Sequence, residues 1–279
     1  MIHFLFLLLN ALIMMALPFV LGHFLSQRLR FDWGLFGVGA ITFILSQVGH
    51  IPFNQFVFAR VPALSANLIL LALFGGLSAG VFEEVARYLM YRFWVRDARD
   101  GPSALILGLG HGGIESFLLG LLVGINGYFL FLVHQGGTTV LVPEAQMPAL
   151  QQATATLLQS PPYLLLLGAI ERLFAIALHI SLSLIVLQTF TRRQGRWLLL
   201  AIGLHALFDA AAVYAATTWS AIVAELIIGL MAALLLAFAW RLRHTGPAPA
   251  AEEPLPNLSP APIRPVELSA DRLDDSRYQ

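Results

Sequence analysis

The amino-acid sequence predicts an all-α protein, a polytopic transmembrane bundle of about seven helices. Hydrophobic residues make up 58% of its 279 positions, charged residues only 11%, and the mean hydropathy is +0.78. A soluble domain is closer to a quarter charged. The apolar residues also form separate stretches of roughly 20 residues or more, the length that a helix needs to cross a bilayer. Arginines cluster between these stretches in a regular alternation.

Seven apolar stretches are long enough to be spans. They cover about residues 2–26, 34–56, 64–95, 103–133, 163–190, 197–217 and 220–240. The first stretch has the position of a secretory signal peptide. It lacks a basic leader, however, and Arg28 and Arg30 follow its long apolar run, so the sequence favours a retained span.

The arginines predict the orientation of the spans. They follow the odd-numbered spans, at Arg28, Arg30, Arg92, Arg96, Arg99, Arg192, Arg193, Arg196, Arg241 and Arg243. The alternate loops hold only Arg60. Because cytoplasmic loops carry the arginine excess, we expect the N-terminus outside and the C-terminus in the cytoplasm. The protein is therefore predicted to be a multi-pass protein of the cell membrane, with a bacterial plasma membrane favoured.

The composition changes at residue 244. Seven of the 15 prolines lie between Pro247 and Pro265, and a charged stretch follows them. Such a segment cannot bury enough apolar surface to fold. The sequence thus predicts a transmembrane helical domain over residues 1–243 and a disordered, proline-rich cytoplasmic tail over residues 244–279.

Composition also excludes several kinds of function. The net charge is zero and no basic block exceeds three residues, which argues against nucleic acid as a partner. The chain has no cysteine, so disulfides, thiolate metal sites and a cysteine nucleophile are excluded. All sixteen cationic residues are arginine, and this excludes a lysine nucleophile.

Ionisable side chains nevertheless occur inside four predicted spans. They are Glu83, Glu84 and Arg87 in the third, His111 and Glu115 in the fourth, Glu171, Arg172 and His179 in the fifth, and His205 and Asp209 in the sixth. An ionised side chain at the bilayer centre costs about 2.5–3.5 kcal/mol. We therefore expect these groups to face one another or a wet cavity.

The spacing of these groups supports their convergence. Three pairs are four residues apart and so share a helix face, namely Glu83 with Arg87, His111 with Glu115, and His205 with Asp209. At ~1.5 Å per residue, the four spans place most of these groups at a similar depth. Glu171 and Arg172 fall deeper, roughly 27 Å from the cytoplasmic end, where we expect them to brace the outer half of the bundle.

Five motifs occur in order along residues 1–240. They are Ser46-Gln47-Val48-Gly49-His50-Ile51-Pro52-Phe53-Asn54, Phe82-Glu83-Glu84-Val85-Ala86-Arg87-Tyr88, Gly110-His111-Gly112-Gly113-Ile114-Glu115, Glu171-Arg172 and His205-Ala206-Leu207-Phe208-Asp209. This order resembles the type II CAAX prenyl endopeptidase superfamily of glutamic-type intramembrane proteases, and most closely its YhfC branch. One departure is Leu107, which stands where the CAAX enzymes usually carry phenylalanine.

The resemblance implies roles for six residues. They are Glu83 as the general base that activates water, His111 and His205 as the groups that polarise the scissile carbonyl and its oxyanion, Asp209 as an orienting group, and Arg87 as the partner of Glu84. Four further candidates, Glu115, Glu171, Arg172 and His179, lie outside the general superfamily pattern. By itself, His179 is more typical of a packed, hydrogen-bonded histidine than of a ligand.

A metal-dependent alternative stays open. Two histidines and two carboxylates, drawn from His111, Glu115, His205 and Asp209, could hold Zn²⁺, although no His-Glu-x-x-His motif is present.

Three functions follow as hypotheses. The first is an intramembrane endopeptidase that hydrolyses a membrane-associated protein or peptide. The second is a proton-coupled transporter that uses the same acids and histidines as a relay. Against it, the sequence shows no repeated half and no pair of proline-broken helices. The third is a non-catalytic scaffold whose polar layer only fixes helix pairing.

Overall fold

The computed structural model describes residues 1–29, 31–136 and 143–243. Arg30, residues 137–142 and the predicted tail 244–279 lie outside the described residues. Within the described part, the regular structure is helical, and seven helices are long and apolar enough to cross a membrane. This confirms the prediction of an all-α, seven-span bundle. The sidedness of the two termini stays a prediction.

Nine α-helices make up the described chain. They are α1 (Ile2–Ser26), α2 (Trp33–Arg60), α3 (Ala63–Ala66), α4 (Leu68–Leu89), α5 (Gly101–His134), α6 (Met147–Gln159), α7 (Leu167–Thr191), α8 (Arg196–Thr218) and α9 (Ala221–Leu242). A π-helical turn, Met90–Trp94, extends α4, and short 3-10 turns at Glu144–Gln146 and Pro162–Leu166 precede α6 and α7. The spans are α1, α2, α4, α5, α7, α8 and α9 with these extensions.

Side-chain caps explain where several helices begin. The Asp32 carboxylate accepts from the N–H of Gly34 at 2.7 Å at the start of α2. At α5, the Asp100 carboxylate accepts from the N–H of Ser103 at 2.8 Å. Each cap satisfies a backbone donor that the first helical turn leaves free. The aspartates therefore fix the points at which the chain enters these two spans.

The third span begins later than the sequence predicted. Asn67 adopts an extended conformation (φ −120°, ψ 117°), and its side chain accepts from the N–H groups of Ile69 and Leu70 at 3.0 and 3.1 Å. An N-cap of this kind starts a new helix, so Ala63–Ala66 forms a separate short helix. The sequence analysis also missed α6, which lies in the predicted loop between the fourth and fifth spans.

The bundle is organised around α5 and α7. Helix α5 packs against α1, α2 and α7, while α4 packs mainly against α8 and α2, and α7 also packs against α9. The α7 span is the most buried of the seven. The first half of α5, Gly101–Gly113, is buried almost throughout. The polar motifs of α4, α5, α7 and α8 therefore face the interior of the bundle.

Glycines set the separation of the helices that carry these motifs. A Cβ atom on Gly110 of α5 would lie 2.0 Å from the carbonyl oxygen of Phe36 on α2. A Cβ atom on Gly76 of α4 would lie 2.4 Å from the carbonyl oxygen of Ala206 on α8. Real side chains do not approach a backbone so closely. The glycines thus permit the backbone contact that small residues provide in membrane helices.

Candidate active site

Two adjacent acids on α4 form the middle of the site. Glu83 and Glu84 are buried, with 5% and 0% of their surface exposed. Adjacent residues on an α-helix point about 100° apart, so the two carboxylates meet different partners. Glu83 faces α5 and α2, and Glu84 faces α8 and its own helix.

Glu83 lies beside the two histidines that the sequence assigned to the same site. Its Oε2 is 3.1 Å from His111 Nε2 and 4.0 Å from His205 Nε2. Both rings are buried. A general base must lie within about one water molecule of its partners. Both imidazole nitrogens lie within that distance of Glu83 Oε2.

Glu84 links Arg87 to His205. Arg87 donates from Nε to Glu84 Oε2 at 3.0 Å and from Nη2 to Glu84 Oε1 at 3.3 Å. This is the ion pair that the sequence analysis predicted. His205 Nδ1 lies 2.9 Å from the same Oε1. A carboxylate held by an arginine accepts hydrogen bonds, so Nδ1 carries the proton of His205. The other nitrogen, Nε2, is thereby directed to Glu83 and to Asp209 Oδ2, which is 3.4 Å away.

His179 occupies a more central position than the sequence indicated. Its ring centroid lies 4.9 Å from that of His111 and 5.3 Å from that of His205. Arg87 Nη2 donates to His179 Nδ1 at 3.1 Å, and Arg87 Nη1 donates to the His179 carbonyl at 3.0 Å. Since an arginine only donates, Nδ1 accepts, and Nε2 carries the proton that it donates to Glu115 Oε2 at 2.7 Å.

The remaining predicted residues form an outer cluster. Arg172 Nη1 donates to Glu115 Oε1 at 2.7 Å, and Arg172 Nη2 donates to Glu171 Oε1. Glu171 keeps 40% of its side chain exposed. The cluster joins α5 to α7, and among the described residues its hydrogen bond to the centre is the one that His179 donates to Glu115. This placement agrees with the bracing role expected for Glu171 and Arg172.

Two of the three pairs spaced i,i+4 do not bond to each other, although they share a helix face. His111 bonds to Glu83 and not to Glu115, and Arg87 bonds to Glu84 and not to Glu83. The i,i+4 rule places two residues on the same face of a helix. Contacts with neighbouring helices then decide the partners. Of the three i,i+4 pairs, His205 with Asp209 is in contact, at 3.4 Å.

Sequence reasoning missed Gln47 as a member of the site. Gln47 on α2 donates from Nε2 to Glu83 Oε1 at 3.0 Å. The available signal was the polar spacing of Gln47, His50 and Asn54, which places all three on one face of an apolar span. The sequence analysis gave Gln47 only as part of a motif and assigned it no role.

Three side chains of the site could together hold a metal ion, but they are not the set of ligands that the sequence predicted. One donor atom each from Glu83, His179 and His205 lie within 4.8 Å of one another. Ligands of a tetrahedral zinc ion lie about 3.3 Å apart, so small side-chain movements would suffice. Both oxygens of Glu115 are already bonded, to Arg172 and His179. Glu115, included in the predicted ligand set, therefore lies outside this group.

Three further observations bear on the fit. Glu84 accepts from the Nδ1–H of His205, which leaves Nε2 as the ligating nitrogen, as in carboxylate–histidine–zinc arrangements. The Nδ1 of His111 is buried without a hydrogen-bond partner among the described residues. His179 would have to release Arg87 or Glu115 in order to ligate. Within this group, His205 is the histidine best prepared to bind a metal.

The fold defines a multi-pass membrane protein with a buried acid–histidine centre. A family model described as YhfC intramembrane metalloprotease matches residues 13–229. The chain is also 34% identical, over 242 residues, to the uncharacterized membrane protein YhfC of Bacillus subtilis (strain 168), covering 82% of this chain and 92% of that protein. The protein therefore belongs to the YhfC intramembrane metalloprotease family. No solved structure matches the chain.

Proposed function

We propose that the protein is an intramembrane endopeptidase that hydrolyses a peptide bond of a membrane-associated protein or peptide, with Glu83 activating the water. The observation that carries this proposal is the contact of Glu83 Oε2 with His111 and His205 in the interior of the bundle. Family membership supports protease activity in general and does not favour the proton-coupled transporter. The identity of the base, the metal and the substrate are part of the proposal.

The proposed chemistry begins at Glu83. Its Oε2 takes a proton from the attacking water and passes it to the leaving amine, as a general base that becomes a general acid. His111 Nε2 lies beside that oxygen and donates a hydrogen bond to it or to the oxyanion of the substrate. Asp209, with 34% of its side chain exposed, approaches His205 Nε2 from the more open side of the site.

His205 has two roles, according to its protonation. Its Nδ1–H is held by Glu84, so a neutral ring presents the lone pair of Nε2 to the centre and a protonated ring presents a donor for the oxyanion. With the metal, His205, Glu83 and His179 would be the ligands. A zinc ion bound there would act as a Lewis acid towards the scissile carbonyl and would lower the pKa of water.

Digestion of a bacterial membrane proteome tests the function. Purified protein in detergent is incubated with the membranes, and new peptide termini are scored for the wild type, for Glu83→Gln and for the matched exposed variant Glu144→Gln. We expect specific new termini with the wild type and Glu144→Gln, and none with Glu83→Gln. Equal cleavage by Glu83→Gln would eliminate Glu83 as the base. Flux across proteoliposomes without any cleavage would favour a transporter.

Zinc content separates the two possible roles of Glu83. If Glu83 acts only as the base, Glu83→Gln loses cleavage and retains zinc. If Glu83 ligates the ion, the same variant loses both, because a carboxamide is a poor substitute for an anionic ligand. A chelator added to the wild type completes the comparison.

A further inference from the structure

A polar face on α2 meets the site at Glu83. It consists of Gln47, His50 and Asn54, spaced i, i+3 and i+7, and all three are half-buried. We call these three residues the α2 relay. The relay lies against α4, where His50 Nε2 is 3.1 Å from Ser78 Oγ. None of the roles described above uses it.

The orientation of the Gln47 amide is fixed by its neighbours. Its Nε2 lies 3.0 Å from Glu83 Oε1 and 3.2 Å from Ser46 Oγ. The Ser46 hydroxyl donates its hydrogen to the Phe43 carbonyl at 2.6 Å, so its oxygen is free to accept. Both neighbours of Nε2 are therefore acceptors. A flipped amide would place an acceptor against them, so the NH₂ group faces Glu83.

The same reasoning fixes the tautomer of His50. With the NH₂ group of Gln47 turned to Glu83, its Oε1 must accept from His50 Nδ1, which is 3.1 Å away. In the neutral ring His50 Nε2 is then the unprotonated nitrogen and accepts from Asn54 Nδ2 at 2.9 Å. The Ser78 hydroxyl, 3.1 Å from Nε2, donates to the Gly75 carbonyl at 2.9 Å and would turn from that carbonyl to donate to Nε2. Each hydrogen bond of the relay thus donates in the direction of Glu83, from Asn54 to His50, to Gln47 and to the carboxylate.

We propose that Gln47 is a positioning residue for the hydrolysis, held in its active orientation by His50. This inference rests on the proposed function, because it concerns how Glu83 is presented to the water. A free carboxylate can rotate and exchange its two oxygens. Gln47 occupies Oε1 and so leaves Oε2 facing His111 and His205. Support of this kind holds a reacting group within the narrow geometry that catalysis requires.

Steady-state kinetics tests the positioning role. The substrate is a peptide that spans a cleavage site found in the proteome digestion. Gln47→Met keeps the length of the side chain but removes the donor, and we expect kcat to fall about 10- to 100-fold with little change in KM, the loss typical of a hydrogen bond to a charged group. Gln55→Met is the matched control, since Gln55 lies on the same helix and is exposed. A kcat for Gln47→Met equal to that for Gln55→Met would overturn the proposal.

A second pair of variants tests the link through His50. Asparagine can place an N–H close to the position of the imidazole Nδ1–H, whereas leucine cannot. We expect His50→Asn to retain kcat within a few-fold and His50→Leu to resemble Gln47→Met. A residue that only packs α2 against α4 would not show this order, so equal losses for both His50 variants would count against the relay.

A nitrogen NMR measurement provides a readout independent of activity. In the protein labelled with ¹⁵N-histidine, with His50 assigned from the His50→Asn spectrum, we expect a neutral ring protonated at Nδ1. Protonation at Nε2 instead would overturn the assigned direction of the relay. The two proposals fail differently: cleavage by Glu83→Gln removes the proposed function, whereas an inactive Glu83→Gln with a fully active Gln47→Met removes only the relay.

Discussion

Glu84 Oε1 lies 2.9 Å from His205 Nδ1 and joins α4 to α8 inside the bundle. The same carboxylate forms the ion pair with Arg87, and it has no solvent exposure. One acid therefore neutralises a buried arginine and also fixes which nitrogen of His205 faces the centre. Its neighbour Glu83, the proposed base, bonds instead to Gln47 and His111.

Replacement of Glu84 should affect both stability and activity. In Glu84→Gln the buried Arg87 loses its counter-ion, and removal of one partner from a buried pair typically costs about 3–5 kcal/mol. We expect a lower Tm in detergent and a loss of cleavage of at least about 10-fold, because His205 is no longer held in one tautomer. The double variant Glu84→Gln/Arg87→Met should be less destabilised than the sum of the single variants. Simple additivity would show that the pair is not coupled.

Metal content should depend on the central histidines. If zinc is bound as proposed, we expect about one ion per chain by mass spectrometry of the purified protein, and His205→Ala should abolish it. His179→Ala and His111→Ala then identify the other nitrogen ligand, with a loss expected for His179→Ala. His23→Ala, at an exposed position on α1, is the control. Stoichiometric zinc in His205→Ala would contradict the assignment.

Adjacent glycines on α4 should respond differently to the same substitution. Gly76→Ala would place a Cβ atom 2.4 Å from the Ala206 carbonyl oxygen and push α4 away from α8. Overpacking of this kind costs about 1–3 kcal/mol, and here it would also separate Glu84 from His205. Gly75→Ala meets nothing within 4 Å. Thermal unfolding and cleavage should both be impaired in Gly76→Ala and preserved in Gly75→Ala.

The outer cluster of Glu115, Glu171 and Arg172 should contribute mainly to the stability of the protein. Arg172→Met leaves Glu115 and Glu171 without their shared cation, and we expect a destabilisation of about 3–5 kcal/mol. The additional change Glu115→Gln removes one of the two uncompensated charges and should recover part of that loss. Arg28→Met, at an exposed position, should leave the Tm unchanged. A wild-type Tm for Arg172→Met would exclude the bracing role.

Single cysteines test the predicted orientation, since the natural chain contains none. In intact cells, a membrane-impermeant maleimide should label Ser65→Cys and Thr156→Cys, which lie in the connections from α2 to α4 and from α5 to α7, on the side predicted to be outside. Gln194→Cys, on a loop predicted to be cytoplasmic, should react only after the membrane is permeabilised. All three positions are exposed in the structure. The reverse labelling pattern would invert the topology.

Most of the fold was accessible from the sequence because the membrane imposes strong rules. A span must be long and apolar, and this condition alone located all seven helices to within a few residues. The exceptions were decided by local hydrogen bonds. Asn67 caps α4 and so separates it from the preceding turn. The amphipathic α6 is too short and too polar to be recognised as a span.

The site was predicted less completely, because spacing along one helix does not identify partners on another. The sequence placed Glu83, His111 and His205 at a common depth, and the structure brings them together. It could not show that Gly112 allows His179 to approach α5, where a Cβ atom would lie 2.9 Å from the imidazole. It also could not show that Gln47 reaches Glu83, since an amide in a span carries no charge that demands a partner.

The contributions to the centre are spread along the chain, from Gln47 on α2 to Asp209 on α8. Membrane helices enter the bilayer in succession during synthesis, so Glu83 is present long before His205 has left the ribosome. A nascent chain that has inserted only its first spans therefore contains Glu83 but lacks His205 and Asp209. If these residues act together as proposed, the chain gains hydrolytic activity only after the sixth span has packed against the third.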